Sequence, residues 1–270
     1  LFSPEELFSV KGRTALVTGG GAGLGRICAE ALLSAGARVL IASRKAEACE
    51  ATAKELSAIG PCEGFGGTVG SEAGVRALGE EVRARTGTLD ILVNNAGVSW
   101  GAPFEEFPWK GWERVLSVNV TGLFDLTRNV MPLLLASGQP RRPATVINIG
   151  SVMGNVTQAE NAYSYAASKS AVHHLTRILA FEFAGRHVTV NAIAPGPFPT
   201  NMTDFALGNP EGLAKTLRGV PMGRVGEAED LAGTVLYLAG RAGAYTTGAI
   251  IPVDGGCGVF APRPILGGHE

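Results

Sequence analysis

Residues 13–35 read RTALVTGGGAGLGRICAEALLSA, and the division of this stretch decides the fold. Arg13 to Thr18 is an apolar run of strand length, and Ile27 to Ala35 carries apolar residues at helical spacing. Between them, five of the seven residues from Gly19 to Gly25 are glycine. Strand, glycine turn and helix in that order make the opening unit of a parallel α/β sheet. A backbone stripped of Cβ atoms at a helix N-terminus lets a pyrophosphate approach closely. The free N–H groups and the helix dipole then favour the anion. Glycine turns also serve ordinary strand-to-helix connections, so the weight of the motif comes from its place in the first β-α unit.

Outward from this unit the alternation continues. Strands are expected at 37–42, 62–67, 89–93, 144–149, 188–193 and 249–253. Helices are expected at 46–59, 71–85, within 104–135, around Tyr165 to about Gly185, and at 227–239. The pattern predicts one α/β domain over 1–270, a Rossmann-type doubly wound parallel sheet of about seven strands with helices on both faces. With 46% apolar residues the chain can fill such a core. Residues 1–10 read as an N-terminal arm and 257–270 as a Pro/Gly-rich tail. The segment 200–225 has scattered apolar residues without a long period, which suits a lid over the substrate side.

Composition excludes several roles. The 23 basic and 24 acidic residues leave a net charge of −1 with no basic stripe, which argues against nucleic acid as a partner. No apolar run reaches the roughly 18 residues of a membrane span, and the N-terminus lacks a signal-peptide pattern, so a cytoplasmic protein is expected. Cys28, Cys49, Cys62 and Cys257 are scattered and the histidines unclustered, so neither a metal site nor a disulfide framework is expected. His173 and His174 read as packing or interface residues.

The chemistry concentrates in residues 151–169, SVMGNVTQAENAYSYAASK. Tyr165 and Lys169 are four apart, on one face of a helix. A cation beside a phenol favours the phenolate, so Tyr165 is expected to have a lowered pKa and to serve as general acid or base. Ser151 follows a buried strand, at the carboxyl edge where open α/β sheets place ligands, and its hydroxyl can polarise a carbonyl. An isolated Tyr-x-x-x-Lys is an ordinary amphipathic pair; here the surrounding motifs give it meaning. The second strand ends in Ser43-Arg44 without the acidic residue that binds ribose hydroxyls, so NADP(H) is favoured over NAD(H). Asn119, in Ser-Val-Asn-Val-Thr-Gly, is a poor choice inside a helix and marks a kink or a functional position.

Together these motifs resemble the classical short-chain dehydrogenase/reductase family over about residues 11–258. In order they are Thr18 to Gly25, Asn94 to Gly97, the Asn119 segment, Ser151, Tyr165 to Lys169, and Pro195-Gly196. The resemblance implies a catalytic set of Asn119, Ser151, Tyr165 and Lys169. Ser151 would hold the substrate oxygen, Tyr165 transfer the proton, Lys169 bind the nicotinamide ribose and lower the Tyr165 pKa, and Asn119 support a water relay to Lys169. The implied cofactor contacts are Gly19, Gly23, Leu24 and Gly25 at the turn, Ser43 and Arg44, and Thr68 and Val69 after the third strand. They continue with Asn95, Ala96 and Gly97, Tyr165 and Lys169, and Pro195, Gly196, Phe198 and Thr200. In the family pattern Asn95 and Gly97 lie toward the adenosine, and Ile193, Gly196 and Thr200 toward the nicotinamide. Thr68 stands where the family usually has an Asp against adenine. Ala22 stands where many NADP-using members carry a basic residue, leaving Arg44 as the main NADP cue.

Within the family, residues 91–102, 146–152 and 242–256 look like NADPH-dependent β-ketoacyl reductases of rhamnolipid synthesis. The implied reaction is reduction of a ketone, of 3-oxoacyl type, to a secondary alcohol. Trp100, Met153, Val156, Met202 and Phe205, with Phe198, are candidates for an apolar substrate pocket. An NAD-dependent secondary-alcohol dehydrogenase and a non-catalytic dinucleotide sensor are the competing readings. The intact proton-transfer set argues against the sensor. A homodimer or homotetramer is implied by the resemblance.

Overall fold

The computed structural model describes residues 3–157 and 161–259. Residues 1–2 of the arm and 260–270 of the tail lie outside the described residues. Seven strands, β1 Thr14–Thr18, β2 Arg38–Ser43, β3 Cys62–Gly66, β4 Ile91–Asn94, β5 Ala144–Ile149, β6 Val188–Pro195 and β7 Ile250–Val253, form one sheet in the order 3-2-1-4-5-6-7. Every pairing is parallel.

The sheet is covered on both sides, and the strand sequences show why. Ala15, Val17, Val39, Ile41, Ile91, Val93, Ile147 and Ile193 belong to one core cluster, and Leu16, Leu40, Leu92, Val146 and Val190 to the other. Alternate side chains point to opposite faces, so near-continuous apolar strands supply two cores. The first core takes helices α2 (Gly23–Ser34), α3 (Ala46–Leu56) and α10 (Ala228–Ala239). The second takes α4 (Glu72–Arg85), α6 (Leu123–Ser137) and α7 (Tyr163–Phe183). Residues 4–8 of the arm form the short helix α1, capped by Ser3 Oγ, which accepts from Glu6 N at 3.1 Å.

Strand order reverses between β1 and β4, which opens a crevice at their carboxyl ends. The 104–135 section is not one helix. It divides into α5 (Trp109–Leu116), a π-helical stretch Ser117–Gly122 and α6. Asn119 sits within that π stretch. A Cβ at Gly122 would collide with the Val69 carbonyl, so the glycine lets the helix pass close to the β3–α4 connection. Residues 204–207 and 210–217 form two short helices, α8 (Asp204–Leu207) and α9 (Pro210–Leu217), with no buried side chain in either. No helix of the described residues is long and apolar enough to cross a membrane.

Candidate active site

A cavity of about 420 Å³ lies along the carboxyl edge of the sheet and reaches from Arg44 to Lys169. The glycine turn forms one wall. Gly19 and Gly23 have φ of +65° and +53°, the left-handed region that suits glycine. A Cβ at Gly25 would strike the Gly19 carbonyl, so Gly25 is a packing requirement of the turn and does not itself line the cavity. Helix α2 starts here with Ala22 at its N-cap, no side-chain cap and no acidic residue in its first turn. Its first N–H groups are left for a ligand. By contrast, α4 is capped by Ser71 and α9 by Asn209.

Asn95 fixes this turn. Its Nδ2 donates to Thr18 O at 3.0 Å and Gly19 O at 3.2 Å, while Thr18 Oγ1 accepts from Asn95 N and Ala96 N at 3.1 and 3.0 Å. The two strands of the switch point are thereby tied together. Gly97 lies at the far end of the crevice from Arg44: a Cβ there would meet Asn119 Oδ1 at 3.4 Å and Lys169 Nζ at 3.8 Å. The family pattern put it toward the adenosine; the structure puts it beside Lys169.

Ser43 and the exposed Arg44 line the opposite end, at the tip of β2, with Lys45 next to them. Ser43 Oγ donates to Lys45 O at 3.2 Å, and among the described residues Arg44 is in no ion pair. Thr68, Val69, Ala96, Pro195, Gly196, Phe198 and Thr200 also line the cavity, as does Leu24. Phe198 is 3% exposed, and its ring packs where a Cβ on Gly226 would go, so most of it belongs to the core.

Ser151, Tyr165 and Lys169 meet at the other end. Lys169 is buried, with Nζ 5.5 Å from the Tyr165 ring centroid and donating to Ile149 O at 2.7 Å. Burial pulls the Lys169 ammonium down to about 8. Burial also pushes the Tyr165 phenol up, opposed by hydrogen bonding with the Ser151 hydroxyl. The expected lowering of the Tyr165 pKa by the neighbouring cation is therefore corrected. Burial of the phenol is the largest influence on it, and the Lys169 charge is not among the causes that move it.

Asn119 is buried behind this end and does not line the cavity. Its Oδ1 accepts from Val98 N at 2.9 Å, and its Nδ2 donates to Val98 O at 2.9 Å and Ser168 Oγ at 3.0 Å. Ser168 Oγ donates in turn to Tyr165 O at 2.6 Å. The π stretch thus ties the β4 exit to the Tyr165 turn of α7, a use typical of such irregularities.

The apolar candidates are dispersed. Met202 lines the cavity, but Trp100, Met153, Val156 and Phe205 do not. Trp100 lies against α5 instead, with Lys110 Nζ 5.6 Å and Arg114 Cζ 6.0 Å from its ring. Phe205 is 85% exposed.

Two supports escaped the sequence reading. Tyr163 sits in an edge-to-face cluster with Phe104 and Phe107, at 5.7 and 5.5 Å, which anchors the start of α7 two residues before Tyr165. His173, read as a packing residue, is buried and faces the Ser151 backbone. The signal was present as a histidine four residues after Lys169, on the same helix face.

A family model described as enoyl-(acyl carrier protein) reductase matches residues 19–258. The rhamnolipids biosynthesis 3-oxoacyl-[acyl-carrier-protein] reductase of Pseudomonas aeruginosa is 50% identical over 249 residues, covering 92% of this chain and 97% of that protein. A galactitol 2-dehydrogenase (L-tagatose-forming) of Cereibacter sphaeroides is 39% identical, covering 94% of this chain and 98% of that one. Among solved structures, the Pseudomonas aeruginosa RhlG/NADP active-site complex matches with a TM-score of 0.92 at 49% identity, over 94% of this chain and 99% of that chain.

Proposed function

The chain belongs to the classical short-chain dehydrogenase/reductase family, and from that premise we propose that it is an NADPH-dependent reductase converting 3-oxoacyl substrates to 3-hydroxyacyl products. One observation carries this reading: a single cavity joins an uncapped glycine turn, an Arg44 in no ion pair among the described residues, and the Ser151, Tyr165 and Lys169 side chains. The turn fits a dinucleotide because Cβ atoms are missing where a pyrophosphate would lie and the helix N–H groups are free. Arg44 and Lys45 suit a 2′-phosphate. The Pseudomonas aeruginosa 3-oxoacyl reductase and the RhlG/NADP structure support the same choice.

When bound, the nicotinamide supplies the hydride for the carbonyl carbon. The remaining work belongs to the protein. Ser151 Oγ accepts from Met153 N at 3.2 Å and is hydrogen-bonded with Tyr165, so the two hydroxyls would converge on the substrate oxygen. Tyr165, kept protonated by burial, gives its phenolic proton to that oxygen as the carbonyl is reduced. Lys169 would hold the nicotinamide ribose and place a positive charge near the phenol. Asn119 keeps the β4 exit and α7 in register.

Residues 200–225 act as the lid. Thr203 Oγ1 donates to Phe198 O at 2.6 Å at one end and Met222 N donates to Gly255 O at 3.1 Å at the other, so the two exposed helices between them move as a flap. A homodimer or homotetramer would cover exposed apolar side chains such as Phe124, Ile178 and Phe181 on α6 and α7, which are 40%, 46% and 92% exposed. The enzyme works in the cytoplasm.

The test is titration with NADPH and NADH, followed by loss of nicotinamide absorbance with a panel of ketones that includes 3-oxoacyl esters. Tighter NADPH binding and turnover of the 3-oxoacyl esters are expected. Binding without turnover in either direction would instead favour a dinucleotide sensor.

A further inference from the structure

His173 stands two turns beyond Tyr165 on α7 and is 2% exposed, yet it touches the site through the backbone of Ser151. Ser151 N donates to His173 Nε2 at 3.4 Å, and the other ring nitrogen, Nδ1, lies 3.0 Å from Asn155 Oδ1. With Asn155 Oδ1 accepting, the proton sits on Nδ1 and Nε2 keeps the lone pair that Ser151 N–H needs. The ring also fits a hollow left by two glycines. A Cβ at Gly150 would collide with Nε2, and one at Gly154 would come within 2.7 Å of Cε1. Gly150 and Gly154 flank Ser151, so the imidazole is clasped by the same short segment whose hydroxyl faces the substrate.

We propose that His173 and Asn155 are positioning residues for Ser151, and that the tautomer fixed by Asn155 makes the Ser151 hydroxyl sensitive to acid through the His173 ring. The functional part rests on the reductase reading above; the contact itself does not. Protonation would place an N–H on Nε2 against the Ser151 N–H, so two donors would face each other where a donor and an acceptor now meet. The Ser151 turn would then lose its anchor. Burial already holds the His173 imidazole neutral, down to about 4, and the charges acting on it are Lys169 and Arg177 of its own helix. Among the described residues, those brought against it by the 150–155 segment, Gly150, Ser151, Gly154 and Asn155, carry no charge.

The test follows kcat and KM for 3-oxoacyl ester reduction from about pH 5.5 to about pH 8.5, together with imidazole nitrogen shifts of histidine-labelled full-length protein. Wild type should show no acid limb in this window and an Nδ1–H tautomer for His173. Asn155→Asp sets a carboxylate against Nδ1, which favours the imidazolium and should bring an acid limb into the window. Adding His173→Gln to Asn155→Asp should remove that limb, because the Gln carbonyl still accepts from Ser151 N–H but does not titrate. His173→Leu should lower kcat about tenfold with KM within about twofold, and His173→Gln alone should recover most of that loss.

A flat profile for Asn155→Asp, a limb that survives in the double variant, or a proton on Nε2 in the wild type would each overturn the proposal. If His173→Leu does not fold, the Asn155→Asp pair still decides it. Absence of wild-type turnover with every ketone would refute the reductase reading alone, because the tautomer and the His173 titration are read without substrate.

Discussion

Ser151 and Lys169 are 7% and 5% exposed and are bound into the fold by His173, Ile149 and the Asn119–Ser168–Tyr165 chain. Beyond Thr203, at the rim of the same cavity, α8 and α9 bury no side chain, and Phe205 is 85% exposed. The wall is over-determined, and the segment beyond its rim is tied to the rest of the fold near its ends. The difference separates two tasks. Proton transfer tolerates little displacement, so its groups sit on a strand end and a long buried helix. Substrate choice needs surface that can change without unfolding the sheet, and under the proposed reading the exposed 204–217 segment would supply it.

Tyr165→Phe has the largest expected effect. The ring and its packing remain, and only the proton donor is lost. Turnover should fall by about 10²- to 10⁴-fold, with NADPH affinity within about threefold by fluorescence titration. A variant that still turns over would mean that the rigid wall does not carry the chemistry.

Arg44→Asp probes the far end of the cavity, where the side chain is exposed. Replacing a cation that suits a 2′-phosphate by an anion should shift the NADP/NAD affinity ratio by about tenfold or more, with kcat for the preferred cofactor little changed. An unchanged ratio would leave Arg44 a solvated loop cation.

The rigid wall should also have a pH signature in stability. His173 is held neutral at about 4 in the fold against an ordinary 6.5, so the unfolded chain binds the extra proton first. The stabilising contribution is complete above 6.5 and is lost as pH falls toward 4. Denaturant midpoints followed across that window should decline less steeply in His173→Gln than in wild type. Parallel declines would assign the acid sensitivity to other groups.

Much of this architecture was legible because it is local. Strand, glycine turn and helix announce themselves in residues 13–35, and Asn119 betrayed its irregular turn by being a poor helix residue. What escaped was non-local or depended on burial. The His173 contact spans 22 positions and requires the hollow at Gly150 and Gly154, which no periodicity reveals. Trp100 follows the Asn94–Gly97 motif and so looked like a pocket residue, but cations from α5 cover its ring. The Tyr165 shift went the other way because a sequence displays the Lys169 charge and hides the burial of the phenol, which raises it.

Phe205→Ala gives the smallest expected effect and the most selective one. Phe205 is too exposed to contribute to the core, so Tm should stay within about 1 °C of wild type. If the flap closes over an acyl chain, the ring gains burial only with a long substrate. Loss of part of a Phe side chain's transfer free energy should raise KM for a long-chain 3-oxoacyl ester about three- to tenfold and leave a short-chain ester nearly unaffected. The comparison partner is Met202, 41% exposed but lining the cavity, where Ala substitution should affect both chain lengths because the contact exists before closure. Equal KM changes for the two esters in Phe205→Ala, or a lowered Tm, would remove the distinction between a flap that closes on substrate and a wall that is already in place.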